Sequence, residues 1–228
     1  MGRWASRGCV MARQRRNPST GCSRTTPNAR FARWGWSTRL AGRRAFTGAR
    51  CVVAAGHVTD DGLSIQANMM EHPTVWPAMA AAYRSATGDL ADHLMAALQA
   101  AEAEGGDVRG RQSAALLVVP ATGPAWASRY DLRVEDHRAP LDELARLLRL
   151  ARAYEAFDRS QEPALAGDLA AAAAAMDDAH ELAPDDDQIT LWTSLLMAGV
   201  GRLPEARRLF AEAARVEPRG AASTFGGF

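Results

Sequence analysis

Two clusters of polar residues in this chain have the types and spacing to do chemistry. The first is Gly105-Gly-Asp-Val-Arg-Gly-Arg-Gln-Ser113, which runs directly into the apolar stretch Ala114–Val119. Glycines at that density let the backbone turn tightly and approach another group closely. The stretch behind them has the length and β-branched ending of a buried strand. Asp107, Arg109, Gln112 and Ser113 are therefore delivered to the mouth of a strand, where they could line a pocket for an amide or a carboxylate. In the plainer alternative Asp107 caps turn amides and Arg109 covers the sheet edge, with a charge-assisted bond between the two fixing the turn. The second cluster is Gln66 and Asn68, two apart and so on one face of a strand. Their amides could bond a substrate carbonyl or act as oxyanion donors, or they form a buried polar pair satisfied by neighbouring backbone.

Other chemistries find little support. His57, His72, His93, His137 and His180 are scattered, with no His-x-x-x-His or Cys-x-x-Cys spacing, so no metal site is expected. No phosphate-binding loop or dinucleotide fingerprint occurs, and no cofactor is expected. Glu135-Asp136-His137 reads as solvated charge at a strand end. Thr47 and Ser113 are the nearest hydroxyls to the informative segments, but neither has a histidine close by in sequence to serve as its base, so neither reads as a nucleophile.

The elements that must position these groups follow from periodicity. A strand end at Ala45, a turn at Gly48 and a strand over Cys51–Ala55 come first. Gly62–Asn68 alternates apolar and polar residues, and Asp60-Asp-Gly before it is a hairpin turn. Val75–Ala86 and Asp89–Glu104 read as helices, the second with Leu90, Leu94, Leu98 and Ala101 on one face. The strands Ala114–Val119 and Tyr130–Glu135 follow, the latter with Tyr130, Leu132 and Val134 on one side. Pro140 opens a helix at a favoured first-turn position, running to about Phe157. Beyond it is an internal repeat of 34 residues: Gly167, Ala172, Met176, Ala179, Leu182 and Pro184 recur as Gly201, Ala206, Phe210, Ala213, Val216 and Pro218. That pattern resembles the tetratricopeptide repeat. Its first helix departs from the pattern, with the aromatic displaced to Trp192, Thr193 where leucine is usual, and Pro163 interrupting the helix before Gly167. About one and a half repeats are present, which implies a helical appendage rather than a solenoid.

Charge is sharply divided. Residues 1–50 hold twelve arginines and no acid, the remainder balances to −11, and there is no lysine. Residues 1–44 show neither a period of two nor one of 3.6. They read as translation of GC-rich DNA in another frame, as a disordered tail, or as a basic arm with Trp4, Trp34 and Trp36 for stacking on bases. The acidic body opposes the last, so nucleic acid is not the expected partner. No apolar run suits a membrane span or a signal peptide. Three cysteines, Cys9, Cys22 and Cys51, make no disulfide framework, which fits a reducing, cytoplasmic setting.

Taken in order, Phe46-Thr-Gly-x-x-Cys51, Ala55-Gly-His57, Gln66-Ala-Asn-Met69, Gly105-Gly-Asp-x-Arg-Gly-x-Gln-Ser-Ala-Ala-Leu116 and Tyr130-Asp-Leu-Arg-Val-x-Asp-His137 resemble a bacterial domain-of-unknown-function family, number one thousand and twenty-eight. The resemblance covers roughly half of the chain. It implies an α+β fold, part of the αββα sandwich of the N-terminal-nucleophile (Ntn) hydrolases, which attack amide carbonyls with a Thr, Ser or Cys on the first strand. In such a fold that strand and its neighbours would precede Ala45. The expected organisation is a disordered or foreign segment over 1–44, the C-terminal half of an Ntn-like domain over 45–150, tetratricopeptide-like helices over 151–219 and a tail over 220–228. Hydrolase activity is not expected of such a half-domain, whose relatives would hydrolyse or bind small amides. An exposed half-sandwich would pair with a second copy. The remaining alternatives are an interaction module built on the C-terminal helices and nucleic-acid binding through the arginine-rich arm.

Overall fold

The structure is a computed structural model that describes residues 33–38, 42–52, 54–124 and 126–216. It is a mixed α+β chain of six helices and three antiparallel strand pairs among those residues. The chain divides into two compact units, Met1–Ala145 and Arg146–Phe228.

In the first unit, β1 (Arg33–Thr38) pairs with β2 (Gly42–Thr47), and β3 (Gly56–Asp60) pairs with β4 (Leu63–Ala67). The β1 strand lies inside the stretch where no periodicity is visible in the sequence. Its two tryptophans favour a strand while the glycine between them does not, and six residues are too short a run to stand out from an arginine-rich background. The other readings of residues 1–32 fall outside the described residues. Among the described residues of Cys51–Ala55 the expected strand is not formed. The Cys51 N–H bonds the Gly48 carbonyl at 3.0 Å, closing a turn, and Ala54 sits at φ +59°. A left-handed residue cannot continue a strand, so β3 starts at Gly56 instead. The β3–β4 hairpin turns through Asp61 and Gly62, where Gly62 at φ +81° takes the conformation that other residues resist.

The β4 strand shows why the hairpin has two different faces. Leu63, Ile65 and Ala67 are buried and alternate with half-buried Ser64 and Gln66. The apolar side packs on α1 (Val75–Ser85) and α2 (Leu90–Ala103), where Val75, Met79, Ala80 and Ala97 complete a core with Leu63 and Ile65. Asp89 caps α2 through a reciprocal box with Asp92, which satisfies amides left open at the helix start. The buried face of α2 is Ala91, Leu94, Met95 and Ala97. Leu90, placed on that face by sequence spacing, is exposed at the first turn. At the hairpin tip the Asp61 amide and then Arg84 at the end of α1, 2.7 Å away, hold the Asp60 carboxyl below its usual range. The third pair is β5 (Ala114–Val118) with β6 (Tyr130–Val134), where Leu116 opposes Leu132. Tyr130 and Val134 are buried on one side of β6, as the alternation predicts.

Helix α3 (Pro140–Leu165) runs well past Phe157, through Pro163. The proline supplies no N–H to the Arg159 carbonyl one turn back, and the helix ends within one turn of it. The end is closed by the Asp168 N–H on the Pro163 carbonyl at 2.9 Å, with Gly167 at φ +81°. In the second unit, α4 (Leu169–Leu182), α5 (Asp187–Gly199) and α6 (Leu203–Val216) pack in succession. Helices α4 and α6 start 34 residues apart and have the same 14-residue length, and Gly201 at φ +83° repeats the Gly167 cap. Pro218, the last member of the repeat, lies outside the described residues. Ala153 and Ala156 of α3, Met176 and Ala179 of α4 and Ile189 of α5 form one core. Ala173, Met197, Ala206 and Leu209 form the next. Thr193 is fully buried, and its hydroxyl donates to the Ile189 carbonyl one turn back at 2.7 Å, which explains how a polar residue is tolerated there. Trp192 meets Phe157 edge to face, ring centroids 6.2 Å apart.

Tyr154 gives this unit an alkaline weak point. Its hydroxyl lies 3.4 Å from the carboxylate of Asp186, the N-cap of α5. Burial first, and then the Asp186 charge, raise the phenol above its ordinary value of 10.0. A raised folded-state value means the folded chain holds this proton longer than the unfolded chain. Stability is therefore intact below about pH 10 and lost as pH rises through the folded value. With no lysine in the sequence, tyrosines dominate titration in that window. Urea midpoints measured at pH 9 and 11 should fall less for Tyr154→Phe than for the parent. Absorbance titration should show a late-ionising tyrosine in the parent that Tyr154→Phe lacks.

Candidate functional site

The six residues singled out in the sequence fall into two local structures. Asp107 and Arg109 are committed to each other. One Asp107 oxygen accepts from the Arg109 backbone N–H (2.9 Å) and Nε (2.8 Å), and the other accepts from Nη2. The pair raises Arg109 further above its ordinary value, through the side-chain bond to Asp107. This is a turn closed by its own ion pair. The turn is also stitched to the chain leaving β4. The Val108 N–H bonds the Met69 carbonyl at 2.9 Å, the Glu71 N–H bonds the Gly106 carbonyl at 2.9 Å, and Met70 bridges Asp107. A Cβ on Gly105 would lie 2.8 Å from Glu71 Cβ, so the close approach of the two segments needs glycine there. Gln112 and Ser113 are half-buried at the start of β5, and the Gln112 carbonyl accepts the His137 N–H at 2.8 Å. His137 in turn accepts the Ala139 N–H on Nδ1 at 3.1 Å, a local bond just before α3. A shallow depression beside this turn is lined by Arg111, Asp136, His137 and Arg138.

The other cluster is the polar face of the β3–β4 hairpin. Ser64, Gln66 and Asn68 succeed one another at alternate positions, and Gln66 pairs across the ladder with His57. Strand β2 approaches this hairpin, and Thr47 at its end brings Oγ1 to 2.7 Å from His57 Nδ1. This contact was not readable from the sequence, where ten residues separate the two and no helical or strand period links them. Two further atoms stand out. Ser64 Oγ and Asn68 Oδ1 are buried and have no hydrogen-bond partner among the described residues. A buried polar atom left unpaired costs about 1–3 kcal/mol, so such atoms are rare and call for a partner. The open end of the hairpin also carries strain. Ala54 and Met69 are the non-glycine residues with positive φ among those described, at +59° and +61°, and the Ala54 carbonyl accepts the Met70 N–H at 3.1 Å. Such conformations persist where surrounding structure holds them, frequently at functional sites. Among the described residues, no group of three or more His, Cys, Asp or Glu could hold a metal ion. No described helix is long and apolar enough to cross a membrane.

The fold and this face define a mixed α+β domain with a polar hairpin surface. Residues 38–144 match the model of a family of unknown function, DUF1028, so both polar clusters lie within the matched span. The chain is also similar to a crystal structure of a Silicibacter pomeroyi protein assigned to the same family model, at 31% sequence identity and a TM-score of 0.40. That similarity covers 46% of this chain and 44% of the other, so the chain spans less than half the length of that relative. Comparison with curated proteins gives no match.

Proposed function

We propose that the β3–β4 face binds a small amide, as part of an Ntn-hydrolase-like sandwich to which residues 45–150 contribute. The observation that carries this is a pair of buried oxygens without a partner among the described residues, Ser64 Oγ on β4 and Asn68 Oδ1 just past its end. A hydroxyl can donate to a carbonyl and an amide oxygen can accept an N–H, which are the two halves of an amide's hydrogen-bonding demand. Gln66 lies between them and offers both functions. The Asp107–Arg109 turn supports the same face by fixing the chain that leaves β4.

Backbone NMR of the whole chain, titrated with N-acetylglycinamide and separately with N-acetylglycine, tests the reading. Saturable shifts confined to residues 57 and 64–68, with the amide preferred over the acid, are expected. Asn68→Leu should weaken binding about tenfold, the equivalent of one hydrogen bond. Shifts that ignore Asn68→Leu, or that scatter over the chain, would sink it.

A second reading rests on the matched lengths and glycine caps of α4 and α6. In it the C-terminal helices are a tetratricopeptide-like appendage that supports contacts with a partner or a second copy.

A further inference from the structure

We infer that Thr47 and His57 form a nucleophile–base pair able to accept an acyl group at Thr47 Oγ1. The inference rests on the amide-binding reading of the same face, because that face would hold the acyl carbonyl beside the hydroxyl. Three observations carry it. Thr47 Oγ1 lies 2.7 Å from His57 Nδ1, within the reach required of a base that takes a hydroxyl proton. His57 stands opposite Gln66 in the ladder, on the hairpin whose second strand bears Ser64 and leads into Asn68. The hairpin end that sets this arrangement is held by two hydrogen-bonded segments with left-handed non-glycine residues, Ala54 and Met69.

The step balances without any further reagent. Thr47 Oγ1 attacks the carbonyl carbon of an ester or amide while its proton passes to Nδ1 of His57. The tetrahedral adduct collapses, the C–O or C–N bond to the leaving group breaks, and the leaving alcohol or amine takes the proton from His57. The acyl group is then an ester on Thr47. Water attacks that ester, gives its proton to His57, and the carboxylic acid leaves as Thr47 recovers its hydrogen. This route differs from that of a nucleophile on a first strand, because the base is an imidazole from a neighbouring strand and no terminal amine takes part.

The test uses the whole chain and p-nitrophenyl acetate, with the acetylated residue located by mass spectrometry and folding followed by circular dichroism. Acetyl should appear on Thr47. Thr47→Val should abolish it and Thr47→Ser should keep it. His57→Ala should slow labelling about 100-fold, within the usual range for loss of a general base, and added imidazole should restore at least a tenth of the rate. That rescue is a readout that a purely structural bond would not produce. Label on Cys51 or on scattered hydroxyls, or an unchanged rate in folded His57→Ala, overturns the inference. Absence both of label on Thr47 and of p-nitrophenol release above background, alongside saturable N-acetylglycinamide binding, overturns the acyl transfer alone. Label on Thr47 without that binding upholds the pair and removes the amide-binding reading.

Discussion

Replacing Gly56 by valine should cost the first unit about 2–3 kcal/mol and lower its unfolding transition on the order of 10 °C, the scale of overpacking a well-filled layer. A Cβ built at Gly56 falls 2.3 Å from Cε2 and Cζ2 of Trp76, far inside contact distance. The indole cannot simply swing away, because it packs against the Leu63–Ile65–Val75–Met79 core. Either α1 moves off the hairpin or β3 shifts, and β3 is the strand that carries His57 to Thr47. The steric origin can be isolated with Trp76→Leu. Gly56→Ala and Trp76→Leu should each destabilise the chain, but the double variant should cost less than their sum by about 1 kcal/mol or more, since residues in contact couple. Calorimetry of the four proteins gives the cycle. Simple additivity would mean that Trp76 does not cover Gly56. Gly56→Ala should also disturb the His57 imidazole resonances, tying packing on one face of the hairpin to geometry on the other.

What the sequence disclosed depended on range. The Asp60–Gly62 hairpin is a local device, in which the residues that make the turn sit within three or four positions of each other. Such signals are legible because turn and cap chemistry hardly depends on the rest of the fold. The Gly167 and Gly201 caps are local too, and their repetition exposes the matched helices. The β1 strand is short, and its alternation covers a single Trp-Gly-Trp step. The Cys51–Ala55 segment has strand-like composition, yet the Cys51 amide closes a turn on Gly48, and Ala54, whose carbonyl accepts the Met70 N–H from the segment leaving β4, takes a left-handed conformation. Tertiary context there overrides propensity. Of the polar residues, Asp107 and Arg109 read first as turn residues and second as a pocket in the sequence, and their mutual bonds show how they are used. Thr47 does not read as a nucleophile in the sequence because its histidine arrives from the next strand. A contact between strands has no fixed sequence spacing, whereas a motif must have one to be recognised.

The C-terminal repeat makes the other large prediction, because two residues equivalent by sequence occupy different environments. Met176 of α4 is 0% exposed and Phe210 of α6 is 41% exposed. Helix α4 has α3 and α5 around it, whereas α6 packs on α5 and is the last helix among the described residues. Met176→Ala should therefore cost about 3–4 kcal/mol, the range for emptying a buried site of that size. Phe210→Ala should cost about 1 kcal/mol, because much of its ring already faces solvent. A repeat buries each unit by stacking on its neighbours, so the outermost helix keeps the same residue pattern but gains less from it. Urea denaturation of the two variants measures the difference directly. Comparable losses would mean that Phe210 is covered in solution by something other than α5, and a midpoint that rises with protein concentration would identify that cover as a second copy. A small Phe210 loss independent of concentration would instead leave the outer face of α6 open to a different partner, with the cost of truncation appearing only when that partner is bound.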